Sequence, residues 1–158
     1  MNLFQKLIEH AYLSIPGNLA YYDTVTGVHN RLYYDRVVKR KYIDTECTVI
    51  YIDVNNLKVV NDTEGHSAGT KLLEDVGDLL KCCKCNEACR IGGDEFILVY
   101  TPDKLVQEEF DWLEDNSNII SYGLYQKELF EGMSSAVKKA DERMYEMKNK
   151  FHESENKG

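Results

Sequence analysis

The order of helix-forming and strand-forming stretches predicts an α+β domain, an antiparallel-rich sheet with helices packed on it. Three observations carry this expectation. Arg90-Ile91-Gly92-Gly93-Asp94-Glu95-Phe96 sets two glycines between apolar runs, the pattern of a β-hairpin and so of two antiparallel neighbours. Cys47–Asp53 and Ile119–Tyr125 are short runs rich in β-branched and aromatic residues, the composition of strands. The stretches around and between them place apolar residues at helical spacing. The resulting order is helix, helix, strand, helix, strand, strand, helix, strand, helix.

Composition narrows the functional classes. A chain of 158 residues with 43% hydrophobic and 29% charged residues suits one domain with a real core. A net charge of −8 argues against wrapping a nucleic-acid polymer. It leaves room for a nucleotide, whose charge a metal and a few lysines can meet. No apolar run reaches the length of a membrane span, and the N-terminus lacks a signal pattern. Five cysteines without an export signal point to reduced thiols and a cytoplasmic location. The expected organisation is an N-terminal amphipathic helix and linker over 1–18, a domain over 19–152 and a polar, frayed tail over 153–158.

In order, Leu3, Phe4, Leu7, Ile8, Ala11 and Tyr12 form one helical stripe within 2–13. Ser14–Asn18 ends it. The polar segment 19–31 leads to Asn30, a cap for a helix over about 31–41, with Leu32, Val37 and Val38 as its inward candidates. The strand Cys47–Asp53 follows. Residues 54–66 are polar and read as a loop or short helix, and Leu72, Leu73, Val76, Leu79 and Leu80 mark a helix over about 68–81. After the hairpin, Leu105, Val106, Phe110 and Leu113 predict a helix over about 103–114. The strand Ile119–Tyr125 contains Gly123, a sign of close approach by another backbone or a ligand. Ala136, Val137, Ala140, Met144 and Met147 predict the last helix, over about 134–150, with Lys148 near its end.

Candidate chemistry gathers at two acidic points. Asp53 ends a buried strand, which would hold its carboxylate rigidly. Asp94 and Glu95 follow Gly92 and Gly93, whose freedom at φ > 0 suits a tight turn and whose lack of side chains lets a phosphate approach. A plain hairpin turn and a strand-end cap explain the same residues individually. If the strands are neighbours, the carboxylates converge and repel unless a divalent cation sits among them. Oxygen donors favour Mg²⁺ or Mn²⁺. With Lys58 as a phosphate partner, the chemistry is phosphoryl or nucleotidyl transfer by a two-metal arrangement. His66 reads as a structural hydrogen-bonder before a ligand. Cys82, Cys83, Cys85 and Cys89 are cramped and lack a second ligand pair, which favours free thiols over a zinc site to which Cys83 and Cys85 could contribute.

Four blocks in order then resemble the GGDEF family, the diguanylate cyclases, over roughly 19–150. They are Asp23-x-x-Thr26-Gly27-x-x-Asn30-Arg31; Asp53 followed by Lys58, Asn61, Asp62, Gly65, His66 and Gly69; Gly92-Gly93-Asp94-Glu95-Phe96; and Ala140-Asp141-x-x-Met144-Tyr145-x-x-Lys148. The resemblance implies a ferredoxin-like, palm-type core related to nucleotide cyclases. It implies that two GTP condense to cyclic di-GMP and two pyrophosphates, with one GTP on each protomer of a homodimer. By position, Asp53, Asp94 and the Val54 carbonyl would hold the metals, and Glu95 would complete the site near the attacking 3′-hydroxyl. Gly92 and Gly93 would admit the α-phosphate, Lys58 and Lys148 would meet the terminal phosphates, and Asn61 would read guanine.

The chain departs from that pattern in four places. Thr70 stands where the family has an Asp that contacts guanine. Asn55, Asn56 and Leu57 replace an Asp, an aromatic residue and a Phe. Cys83 and Asn86 replace the Arg and Asp of the product-inhibition site. After Lys148 the family's Gly-Arg-Asn and last strand are missing, and His152 stands where an Arg often contacts phosphate. Three readings follow: a diguanylate cyclase, a cyclase with relaxed base selectivity making another cyclic dinucleotide, and a non-catalytic GTP-binding regulatory module.

Overall fold

A computed structural model describes residues 18–105 and 107–155. The expected helix over 2–13, Val106 and residues 156–158 lie outside the described residues. After a 3₁₀ turn at Asn18–Tyr21, helix α1 spans 31–41, with a wider π-helical centre at Tyr34–Val38. There follow β1 (Cys47–Val54), α2 (Leu57–Glu64), α3 (His66–Cys82), β2 (Glu87–Arg90), β3 (Glu95–Tyr100), α4 (Gln107–Asp115), β4 (Ile120–Lys127) and α5 (Met133–Glu155). The four strands are all antiparallel, in the order β2-β3-β1-β4. This is the split βαβ arrangement of a ferredoxin-like core.

Strand β1 is central, and helices cover the sheet on both sides. On one face Val49, Tyr51, Ile97 and Val99 pack with Tyr34 and Val38 of α1 and with Ala136, Ala140 and Met144 of α5. On the other, Ile50, Ile52, Phe96 and Leu98 pack with Leu73, Val76 and Leu80 of α3 and with Leu113 of α4. That double burial explains why β1 reads as an unbroken apolar run. Gly123 lets α5 lie directly on β4, since a Cβ there would overlap the backbone at Ala140 and Met144. Gly77 does the same for α3 against the backbone of Thr26.

Several local expectations change. Leu32 is 40% exposed. It lies two residues, about 200° of helix, from Tyr34, which sets the buried face. Helix α4 starts later than expected because residues 102–104 form a turn, in which Lys104 N donates to Thr101 O at 2.9 Å. Phe110 stays partly exposed while Leu113 is buried. Residues 57–64 settle as a helix, entered through Asn56 at φ 58°, a left-handed value that Asn tolerates. Helix α5 runs on to Glu155, past the expected start of a tail at 153. Cys83 and Cys85 are half-buried thiols whose pKa burial pushes up to about 12.

Beyond the strands, the segment before α1 closes the outer edge of β2. His29 N donates to Ala88 O at 3.0 Å, and Arg90 N donates to His29 O at 2.7 Å. Below this edge lies the buried Glu87 carboxylate. It accepts from Tyr33 Oη at 3.1 Å, Tyr42 Oη at 3.0 Å and Lys41 Nζ at 2.9 Å. The His29 ring stacks on Tyr33 with centroids 3.6 Å apart. Burial lowers the pKa of His29 below its ordinary 6.5, although Glu87 pulls it back up. The unfolded chain therefore binds the proton first as pH falls below about 6.5, and stability drops with it. A urea midpoint measured at roughly pH 7.5 and again at roughly pH 5.5 should fall. In His29→Phe, which keeps the stacked ring, that fall should be smaller.

Candidate active site

The strand register builds the site. Antiparallel pairing of β1 with β3 sets Asp53 directly opposite Glu95, at the end of the sheet where the hairpin turns. Directly opposed residues share a face, here the face of α1 and α5. Asp94 is the last residue of the turn, and its carbonyl accepts from Val54 N at 2.9 Å. The root of the turn is tied by Ile91 N donating to Glu95 O at 2.8 Å. Neither Gly92 nor Gly93 takes a positive φ, contrary to the expectation of a glycine-dependent turn. Gly92 leaves room for the Glu95 carboxylate, which a Cβ there would displace. Around Gly93 there is open space.

Asp53 is only 7% exposed. Its Oδ1 accepts from Lys148 Nζ, on α5, at 2.5 Å. Burial raises the Asp53 pKa, Lys148 pulls it down, and the charges of Asp94 and Glu95 push it up again. Burial, and then the neighbouring Glu95, raise the pKa of the Tyr51 hydroxyl, two residues before Asp53 on the same face. Asp141 of α5 feels the Glu95 charge, which adds to burial in raising its pKa. Among the described residues no three His, Cys, Asp or Glu side chains form a ready metal cage. The donor set still suits a hard divalent cation: Asp53, Asp94 and Glu95 supply carboxylate oxygens at one sheet end, and an ammonium already sits on one of them.

The other predicted residues lie on the neighbouring helix pair. Lys58 is exposed on the first turn of α2. Asn61 on α2 lies over Gly69 of α3, where a Cβ would overlap its side-chain oxygen. Thr70, next to Gly69, is exposed. The structure thus gathers Asp53, Asp94, Glu95 and Lys148, and separately Asn61 with Gly69 and Thr70.

Residues that sequence reasoning missed hold the turn in place. The Arg90 guanidinium donates through Nη1 to Asp23 Oδ1 at 2.9 Å and through Nη2 to Gly93 O at 2.6 Å. Thr26 donates to the same Asp23 oxygen from its amide and its hydroxyl. Arg31 Nη1 donates to Ile91 O at 3.2 Å. Asp23, Thr26 and Arg31 stood in the sequence as motif members without a role. Asn55 is buried, accepts from Ser121 Oγ at 2.7 Å and donates to Ser117 O at 3.3 Å. A carboxylate could not make that second bond, which accounts for an amide here. Asn86 caps Thr101, accepting from its amide at 2.8 Å, and Cys83 packs against the core. Both are structural at the positions where the family resemblance puts inhibitory charges.

A four-stranded antiparallel sheet with helices on both faces and a Gly-Gly-Asp-Glu turn at one end is the architecture of a GGDEF-type domain, and comparisons agree. The coiled-coil and GGDEF segment of DgcB from Caulobacter crescentus, solved with c-di-GMP, matches with a TM-score of 0.73 at 21% identity, over 92% of this chain and 88% of that one. SiaD from Pseudomonas aeruginosa, solved with its activator SiaC, matches at 0.71 and 22% identity, over 93% and 65%. At such identities these likenesses speak for the fold. The diguanylate cyclase DgcS of Shewanella oneidensis is 33% identical over 104 residues, 61% of this chain and 35% of that protein. An uncharacterised Streptomyces griseus protein of the hutH 5′ region is 40% identical over 90 residues, 51% of this chain and 37% of that protein. The chain thus spans little more than a third of these two relatives. The family model "Diguanylate cyclase, GGDEF domain" matches residues 20–154, and the chain belongs to this family.

The Arg90 contacts yield a local prediction. Arg90→Ala should speed amide hydrogen exchange around residues 92–95 by roughly tenfold, with the core amides of β3 unchanged. Mass-spectrometric or NMR exchange checks it; equal loss throughout the sheet would show a global effect instead.

Proposed function

We propose that the chain is a diguanylate cyclase, condensing two GTP to cyclic di-GMP with release of two pyrophosphates. The observation that carries this reading is the pairing of Asp53 with Glu95 at one sheet end, with Asp94 beside them and Lys148 on Asp53. In this reading Asp53, Asp94 and the Val54 carbonyl hold Mg²⁺ or Mn²⁺, and Glu95 completes the site beside the attacking 3′-hydroxyl. The bound ion would polarise the α-phosphate and favour deprotonation of the attacking hydroxyl. Gly92 and Gly93 leave the backbone open to the α-phosphate. Lys58 and Lys148 meet the terminal phosphates, and Asn61 reads the guanine edge.

Each protomer holds one GTP, so the active unit is a homodimer. In each half-reaction one 3′-hydroxyl attacks the partner nucleotide's α-phosphate and pyrophosphate leaves. Among the described residues no helix is long and apolar enough to cross a membrane.

Thr70 supports a second reading. It is exposed beside Gly69 and Asn61, where a hydroxyl both donates and accepts. A carboxylate would instead favour the guanine N1–H and N2–H₂ donors. Relaxed base selectivity, with adenine admitted, follows from that exchange.

Purified protein incubated with Mg²⁺ and GTP, ATP or both should yield cyclic di-GMP on chromatography, with mixed products if selectivity is relaxed. No product at high protein concentration, with GTP still bound, would leave a non-catalytic regulatory module. Asp94→Ala should lower turnover by at least about 100-fold while leaving the melting temperature unchanged, because a turn carboxylate adds little to the core. Thr70→Asp should raise the ratio of GTP to ATP use; an unaltered ratio would remove Thr70 from base recognition.

A further inference from the structure

The contact between Lys148 and Asp53 joins two elements that the function uses for different purposes. Asp53 ends the central strand, and Lys148 lies 95 residues later, on the last helix. Nζ stands 2.5 Å from Oδ1, with the two side chains 27% and 10% exposed. The carboxylate is therefore largely shielded from water, and the ammonium is its counter-ion. Around it, the acids Asp94 and Glu95 add negative charge, and Asp141 faces Glu95 from α5. A divalent cation approaching Asp53 meets a carboxylate whose oxygen is already engaged by a cation. Both cannot hold that oxygen at close range without strong repulsion.

We propose that Lys148 competes with the divalent cation for Asp53, so that one side chain couples metal binding to nucleotide binding. Metal arrival displaces Nζ from Oδ1, and the freed ammonium becomes available to the nucleotide's phosphates. The coupling is reciprocal: a phosphate that draws Lys148 away clears Asp53 for the metal. Lys148 is in this sense a positioning residue for the cation as well as a phosphate contact. The inference rests on the assignment of Asp53 as a metal ligand made above.

The test is Mn²⁺ binding to the full chain without nucleotide, followed by the electron paramagnetic resonance of free Mn²⁺. Lys148→Gln should tighten Mn²⁺ binding by roughly tenfold, since it removes a competing charge at contact distance. Lys148→Arg keeps the charge and should stay near the wild type. In Asp53→Asn the gain from Lys148→Gln should vanish. GTP binding, measured with a chelator and again at saturating Mn²⁺, should show a smaller enhancement by Mn²⁺ in Lys148→Gln than in the wild type. Unchanged or weaker Mn²⁺ affinity in Lys148→Gln, or a gain that persists in Asp53→Asn, overturns the competition alone. Absence of any Asp53-dependent Mn²⁺ binding overturns the metal assignment itself, and the competition with it.

Discussion

The pairing of Asp53 with Glu95 is the constraint on which the rest of the site depends. A slip of one residue between β1 and β3 would send one of these side chains to the opposite face. Asp53 would then meet the apolar layer formed by Leu73, Val76 and Phe96 rather than the open end near α5. Burying a carboxylate there without a partner would cost several kcal/mol. Hydrophobic alternation cannot fix the register alone, because β1 is apolar on both faces. The turn and its supports do so. Ile91 and Val54 donate to the carbonyls of Glu95 and Asp94, and Arg90 ties Gly93 to Asp23. A segment more than sixty residues upstream thus helps to set which carboxylates face each other.

The same end of the sheet carries a charge problem that the protein meets locally. Burial raises the cost of ionising Asp53, and the charges of Asp94 and Glu95 add to it. Lys148 offsets this for Asp53. Asp53 therefore does not depend on the solvent for its partner. Helix α5 supplies both Lys148 and Asp141, and its close seat on Gly123 fixes where they stand. Packing at an apolar glycine and electrostatics at the sheet end are in this way one structural fact. A bulkier residue at Gly123 would lift the helix and move the charge with it.

What was legible in the sequence was local. β1 and the hairpin appear in it because composition and turn chemistry act over a few residues. Helices α3 and α5 announce themselves by periodicity, and Asn30 was read correctly as a cap, its side chain accepting from Tyr33 N. Gly123 was rightly read as a point of close backbone approach. What failed was either a detail of helical phase or a long-range pairing. Leu32 has the right polarity but sits on the wrong side of the face set by Tyr34. Gly92 was expected to supply backbone freedom and instead supplies space for Glu95. The pairs Arg90–Asp23 and Lys148–Asp53 span 67 and 95 residues, and charge alone does not choose them from the many acids and bases in the chain. The closure of β2 by His29 left no periodic signal at all.

The carboxylate cluster and the pair Asn61 and Thr70 belong to different structural units, and this bears on how the chain departs from its family. Asp53, Asp94 and Glu95 are held by a sheet ladder with helices on both faces, so small changes there propagate into the core. Asn61 and Thr70 instead sit on the α2–α3 pair, joined through Gly65 at φ 90°, with Thr70 exposed. A side chain at Thr70 can change without disturbing the ladder, because it is exposed on α3. Asn61 is less free, since its amide rests on Gly69 and any Cβ there would collide. The residue at position 70 can therefore vary while the carboxylates stay fixed. Asn55 shows the opposite regime: its exchange from a carboxylate is bound to a specific pair of hydrogen bonds that tie β1 to Ser117 and Ser121. The departure at Thr70 lies on the surface, and the departure at Asn55, near the carboxylates, is absorbed into the scaffold.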